Sequence, residues 1–240
     1  MKFKDDVCMP TYEGFRLKIL EYWRIGLAKQ RKKKLQNVDF TIISNNCWGG
    51  MVYESYALRK NSPTIGLFFM PDDYIKFLKR MNDYLIEDLF FISPDDSLWK
   101  DDDVICSDSR FGTYPIGRIE IKSNKNYVDC NDTEAIEVFF LHYTSEKEAK
   151  QKWERRIKRI NYDKLLVKFN DQNGCNEKHI RAFDQLPYKN KVCFTVKSFP
   201  QYKSVIRIKT PKSHKFIHAS YEPFGCTRAI DITELINKMK

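Results

Sequence analysis

DFTIISNNCWGGMVYESY (residues 39–56) runs from an apolar, β-branched segment through small polar residues into a helical pattern. Phe40, Thr41, Ile42 and Ile43 read as a buried strand. Ser44, Asn45, Asn46 and Cys47 read as the turn that leaves it, and Trp48-Gly49-Gly50 as a helix start. Strand, polar turn and helix start in succession is how open α/β proteins present ligand-binding groups at the carboxyl edge of a sheet. Cys47 falls where helix-start N–H groups favour a thiolate or an anion.

Outward from this stretch the chain alternates. Strand candidates are 40–43, 64–69, 89–92, 136–141, 165–169 and 192–196, with helical patterns at 50–58, 72–88, 145–161 and 177–186 between them. Strands without polar alternation, separated by amphipathic helices, indicate a sheet covered on both faces. The expected fold class is therefore α/β: three layers, a mainly parallel Rossmann-like sheet with helices on both faces, and an inserted loop and β segment. The insertion, at about 93–131, contains Asp101-Asp102-Asp103 and Tyr114-Pro115-Ile116-Gly117, with short β segments around 116–121. The division expected is an amphipathic basic helix at 1–36, an α/β core at 37–210 and a C-terminal extension at 211–240 packed on the core. Local chemistry supports several helix starts. Pro71-Asp72-Asp73 supplies a first-turn proline and acids, and Ser145 with Glu148 has capping-box spacing. Asn173-Gly174 is turn chemistry.

In the first helix, at about 12–35, Phe15, Ile19, Trp23 and Leu27 fall four apart, and Lys29, Arg31, Lys32, Lys33 and Lys34 follow. Such a stripe suits docking on the core with solvated lysines beyond it. The same pattern also suits contact with anionic lipid. A formal charge of +10 favours anionic partners. Lysines are interleaved with acids and no nucleic-acid-binding motif is present, so nucleic acid is disfavoured. The seven cysteines are scattered without Cys-x-x-Cys spacing, against a disulfide framework or structural zinc. MKFKDDVC puts acids where an export signal needs its apolar core, and no apolar run reaches bilayer length. A cytoplasmic protein is the expectation, with a peripheral place at the inner membrane face as the variant the basic helix suits.

In a parallel sheet the residues after the strands converge on one rim. These are Ser44, Asn45, Asn46 and Cys47; Asp72 and Asp73; His142 and Tyr143; Asn170, Asp171, Gln172 and Asn173; Lys197 and Ser198. Cys47, His142 and Asp171 have the types of a nucleophile, base and orienting acid. Cys47 read as a small buried hydrophobe is the competing account. Ser44, Asn45, Asn46, Asn170, Gln172 and Asn173 suit sugar or nucleotide hydroxyls, with Gly49 and Gly50 as an anion cradle. Asp101-x-Asp103 has the spacing of a divalent-cation site but lies in a charged loop, so no metal is expected. P-loop, G-x-G-x-x-G, G-x-S-x-G and His-Glu-x-x-His motifs are absent.

The segments DFTIISNNCWGG (39–50), NSPTIGLFFMPDDYIKFL (61–78), YPIG (114–117), FLHYTSEKEAKQKWERRIKRIN (140–161), LLVKFNDQNGC (165–175) and LPYKNKVCFT (186–195) resemble a bacterial family of unknown function met in capsule and exopolysaccharide biosynthesis clusters. The resemblance spans about 38–206 and implies an α/β fold and a setting in surface-polysaccharide assembly, with no catalytic residues to carry over. The expectation is a transferase binding an activated or phosphorylated sugar at the carboxyl edge, with a nucleotide sugar or coenzyme A as donor. A Cys/His-dependent acyltransferase or hydrolase, and a non-catalytic glycan- or partner-binding protein, are the alternatives.

Overall fold

The computed structural model describes residues 12–121 and 134–239. Cys8, Cys130, the start that carries the export-signal reading and the end of the 93–131 insertion lie outside them. In chain order the elements are α1 (Tyr12–Gly26), α2 (Ala28–Lys32), β1 (Thr41–Ser44), α3 (Trp48–Ser55), α4 (Pro71–Lys79), α5 (Met81–Ile86) and β2 (Phe90–Ile92). They continue with α6 (Asp103–Cys106), β3 (Ile116–Glu120), β4 (Ala135–Phe139), α7 (Glu146–Ile157), β5 (Leu165–Asn170), α8 (Glu177–Gln185), β6 (Asn190–Thr195), β7 (Val205–Arg207) and α9 (Ile232–Asn237).

A four-stranded parallel sheet, ordered β1-β5-β6-β7, forms the middle layer of an α/β fold. Its strands carry apolar side chains on both faces. Ile43, Val167, Phe169 and Cys193 pack with α4, α5, α7 and α8. Ile42, Leu166, Val192 and Phe194 pack with Trp48, Val52 and Tyr53 of α3 and Ile232 and Ile236 of α9. Two covered faces explain why the strands lack alternation. The helix starts follow their local chemistry. Ser145 accepts from Glu148 N at 3.3 Å, and Glu148 reaches back to Thr144 N at 3.2 Å. Asn173 and Gly174 turn with φ of 56° and 77°.

Four expected elements differ. The run 64–69 is not a strand along β1. Gly66 turns it at φ 75°, and the edge of β1 is instead closed by side chains, Ile42 N donating to Tyr53 Oη at 3.1 Å and Ser44 N to Thr64 Oγ1 at 3.0 Å. The strands expected at 89–92 and 136–141 leave the parallel sheet for an antiparallel one, β2-β3-β4, because the insertion supplies β3 between them. Gly117 permits this packing: a Cβ there would stand 2.5 Å from Leu89 and 2.8 Å from Phe140. Phe68 pairs with Phe139 of β4 while Phe69 N donates to Asn45 O at 3.0 Å, which joins the two sheets. The helix expected at 72–88 breaks at Arg80 into α4 and α5.

The first helix also docks differently. Its stripe does not face the body: Phe15 is 56% exposed, Ile19 43%, Trp23 60% and Leu27 42%. Arginines make the attachment. Arg16 donates to Ser220 O at 3.3 Å and lies over the Tyr221 ring at 4.2 Å. Arg24 pairs with Glu54 at 3.5 Å, and Arg31 donates to the carbonyls of Trp23, Arg24 and Ser55. Arginine stems cover apolar surface while the guanidinium satisfies carbonyls, so helix docking here needs few apolar residues.

Candidate functional site

After β1 the chain turns toward the antiparallel sheet, and after β5, its neighbour, it turns the other way to β6. The carboxyl ends of β1 and β5 therefore flank the topological switch point, where α/β sheets open a ligand crevice. Asn45 and Asn46 stand on one side, Asn170, Asp171, Gln172 and Asn173 on the other. Asn45 Nδ2 donates to Asn170 Oδ1 at 2.7 Å, and Asn46 Nδ2 to Gln172 Oε1 at 2.9 Å.

Between them lies a buried ion pair. Lys168 Nζ bonds the Glu222 carboxylate and donates to Asn46 Oδ1 at 2.8 Å. Asn170 Nδ2 and Asn46 Nδ2 also donate to Glu222, at 2.8 and 3.1 Å. Lys168 sits 5.8 Å from the Trp48 ring and 5.9 Å from that of Phe194. Burial pushes the Lys168 ammonium down, against the pull of Glu222. The C-terminal segment that brings Glu222 is anchored at the crevice. Asp171 accepts from Ile217 N at 2.8 Å and Val196 N at 2.7 Å, Gln172 Nε2 donates to Ile217 O at 2.6 Å, and Trp48 Nε1 to Pro223 O at 2.7 Å. Beyond it, Glu222 lines a 960 Å3 groove with Trp23, Arg31, Tyr221 and Phe224. Two other cavities, of 790 and 550 Å3, open near the amino ends of the strands.

The expected triad is not assembled. Among the described residues no hydrogen bond joins Cys47 to His142 or His142 to Asp171. The Cys47 thiol faces Leu67 O at 3.8 Å, and burial, then the nearby Glu222 charge, pushes it up to about 12. A thiolate favoured by the helix start is therefore not what these surroundings produce. Asp171 tethers backbone, and burial raises its carboxyl above the ordinary value despite those bonds. His142 is half-buried. Desolvation first, then the charges of Arg110 and Lys60, hold it below its ordinary value, which favours the neutral imidazole.

The glycines are not a free anion cradle either. Gly49 N donates to Ser44 Oγ at 3.2 Å, and Trp48 N to Asn46 Oδ1 at 3.1 Å, so the first turn of α3 is capped from within. A Cβ on Gly49 would approach Ser44 Oγ to 3.0 Å, and one on Gly50 would approach Ile65 to 3.2 Å; both glycines serve close packing. Asp72 lies outward against His179, at 3.1 Å. Asp73 is buried and accepts from Trp99 Nε1 at 2.7 Å and Glu137 N at 3.0 Å. Asp101 and Asp103 are exposed, and no group of three His, Cys, Asp or Glu gathers in ligand geometry among the described residues.

Three residues of this region went unread in the sequence. Lys168 carried a signal: a lysine inside the apolar run LLVKF needs a buried partner. Glu222 carried none, because it arrives from an irregular tail. Arg110, in the insertion, acts on both Cys47 and His142 by charge and is held by Asp108 at 2.9 Å, whose carboxylate also accepts from the Tyr114 hydroxyl.

The domain family described as "Domain of unknown function (DUF1919)" matches residues 19–239. The chain belongs to this family. An uncharacterized protein of Haemophilus influenzae strain Rd is 31% identical over 201 residues, 84% of this chain and 83% of that protein. The match to the family extends well past the 38–206 of the sequence resemblance and takes in the tail. Glu222 is thus inside the family's shared span, as are β1, β5 and Lys168.

Proposed function

We propose that the switch-point crevice binds a phosphorylated or nucleotide-linked sugar and supports group transfer in bacterial surface-polysaccharide assembly. The observation that carries the reading is the buried Lys168–Glu222 pair ringed by Asn45, Asn46, Asn170 and Gln172. Holding two charges away from water is costly, and replacing such a pair by well-packed hydrophobic residues is often neutral or stabilising. A binding site accounts for their presence. In this reading the buried network is the positioning layer. Gln172, bonded to Asn46, Asn170 and Ile217, belongs to that layer, while half-buried Asn173 offers its amide to sugar hydroxyls, His142 a proton acceptor, and Arg110 a fork for phosphate oxygens. The polysaccharide setting comes from the sequence resemblance. The thiol-transfer alternative loses ground because Cys47 is held protonated.

Asn46 and Asp171 are poor probes, since both also hold the fold together. Arg110 is the better one, its side chain being 59% exposed. In a strain lacking the protein, Arg110→Ala should fold normally by circular dichroism yet fail to restore surface polysaccharide. Full restoration by a folded Arg110→Ala protein would contradict the reading and favour a binding role elsewhere on the surface.

A further inference from the structure

The first helix presents an apolar stripe that the body leaves uncovered. Phe15 (56% exposed), Ile19 (43%), Tyr22 (78%) and Trp23 (60%) lie close together along α1, with Trp23 bordering the groove that Arg16 and Arg31 also line. Spacing of three and four places them on one face. Trp23 is the most exposed of the four tryptophans, Trp48 and Trp153 being fully buried and Trp99 half-buried. An aromatic patch of this kind on a water-facing helix marks an interaction surface.

Charge names the occupant. Between residues 12 and 36 stand eight Lys and Arg against two Glu. Arg16, Arg24 and Arg31 are used inward. Lys18, Lys29, Lys32, Lys33 and Lys34 are exposed, Lys18 within α1 and the others just past the stripe's carboxyl end. Aromatic and aliphatic side chains flanked by exposed lysines match the headgroup boundary of an anionic bilayer, where rings insert shallowly and lysines meet phosphate. No helix among the described residues is long and apolar enough to cross a membrane, so the contact is along a surface.

We infer that α1 and the lysines following it dock the protein on the surface of an anionic lipid bilayer, with Phe15, Ile19, Tyr22 and Trp23 inserted at the headgroup level. This inference stands apart from the crevice and its ligand. The test uses the full chain with vesicles of phosphatidylcholine alone and of phosphatidylcholine with phosphatidylglycerol, read by sedimentation and by tryptophan emission. Binding should require phosphatidylglycerol, weaken with salt and shift the emission to the blue. Tyr22→Ser with Trp23→Ser should abolish the blue shift and leave the fold unchanged, since both side chains are more than half exposed. Reversing Lys32, Lys33 and Lys34 to Glu should weaken partitioning on the order of a hundredfold, at about fivefold per lysine. No partitioning onto anionic vesicles at low salt would overturn the inference, as would partitioning that both variants retain. A dimer in solution that Trp23→Ser dissociates would assign the stripe to a second copy instead.

Discussion

Lys168 and Glu222 are buried partners, and neither charge is neutralised without the other. Removing one member of such a pair leaves an uncompensated charge, which costs about 3–5 kcal/mol. Lys168→Met should therefore destabilise the protein by that amount in urea unfolding. Combining it with Glu222→Gln should cost clearly less than the sum of the two single changes. Near-additive losses would mean that the pair is not coupled as its geometry requires. Cys47 makes a second residue-scale prediction. With its thiol pushed up to about 12 it should react with maleimide more slowly than the exposed Cys106. Peptide mapping that finds Cys47 labelled first would restore the nucleophile. The sequence named the asparagines of this crevice correctly as neighbours, because residues after adjacent parallel strands must converge. It could not tell that they bond to one another and to Glu222, since that depends on where the tail returns.

The insertion is tied to the body by buried carboxylates. Asp73 of α4 accepts from Trp99, and Glu137 of β4 accepts from Ser97 Oγ at 2.6 Å, Leu98 N at 2.9 Å and Arg118 at 2.7 Å. Desolvation raises the Asp73 carboxyl from 3.8 to about 6 in spite of these bonds. A raised carboxyl pKa favours folding only while the group is protonated. The contribution is complete below pH 3.8 and disappears as pH rises through about 6, a difference of at most ~3 kcal/mol. Wild-type stability should therefore fall relative to Asp73→Asn, which keeps an acceptor for Trp99, between about pH 4 and 6.5. A difference that stays flat across this range would show that Asp73 titrates normally. At this scale, turn and cap chemistry at Asn173-Gly174, Pro71 and Ser145 was legible because each depends on a few adjacent residues. The partner of a strand was not. Residues 89–92 and 136–141 have apolar patterns that suit either sheet, and β3 decides between them.

Across the whole molecule, the parallel layer and its two covered faces followed from apolar runs in β1, β5 and β6. The docking of α1 did not follow, because periodicity identifies an apolar face without saying whether protein covers it. Ligand binding at the switch point is read most directly from the stability it confers. Thermal unfolding of the full chain and of Arg110→Ala should be followed against a panel of sugar phosphates and nucleotide sugars at fixed salt. At least one ligand should stabilise the wild type, by roughly 2.7 kcal/mol at a hundred times its Kd, and Arg110→Ala should lose most of that gain. A panel with no stabilising member, or equal stabilisation of the variant, would contradict the account.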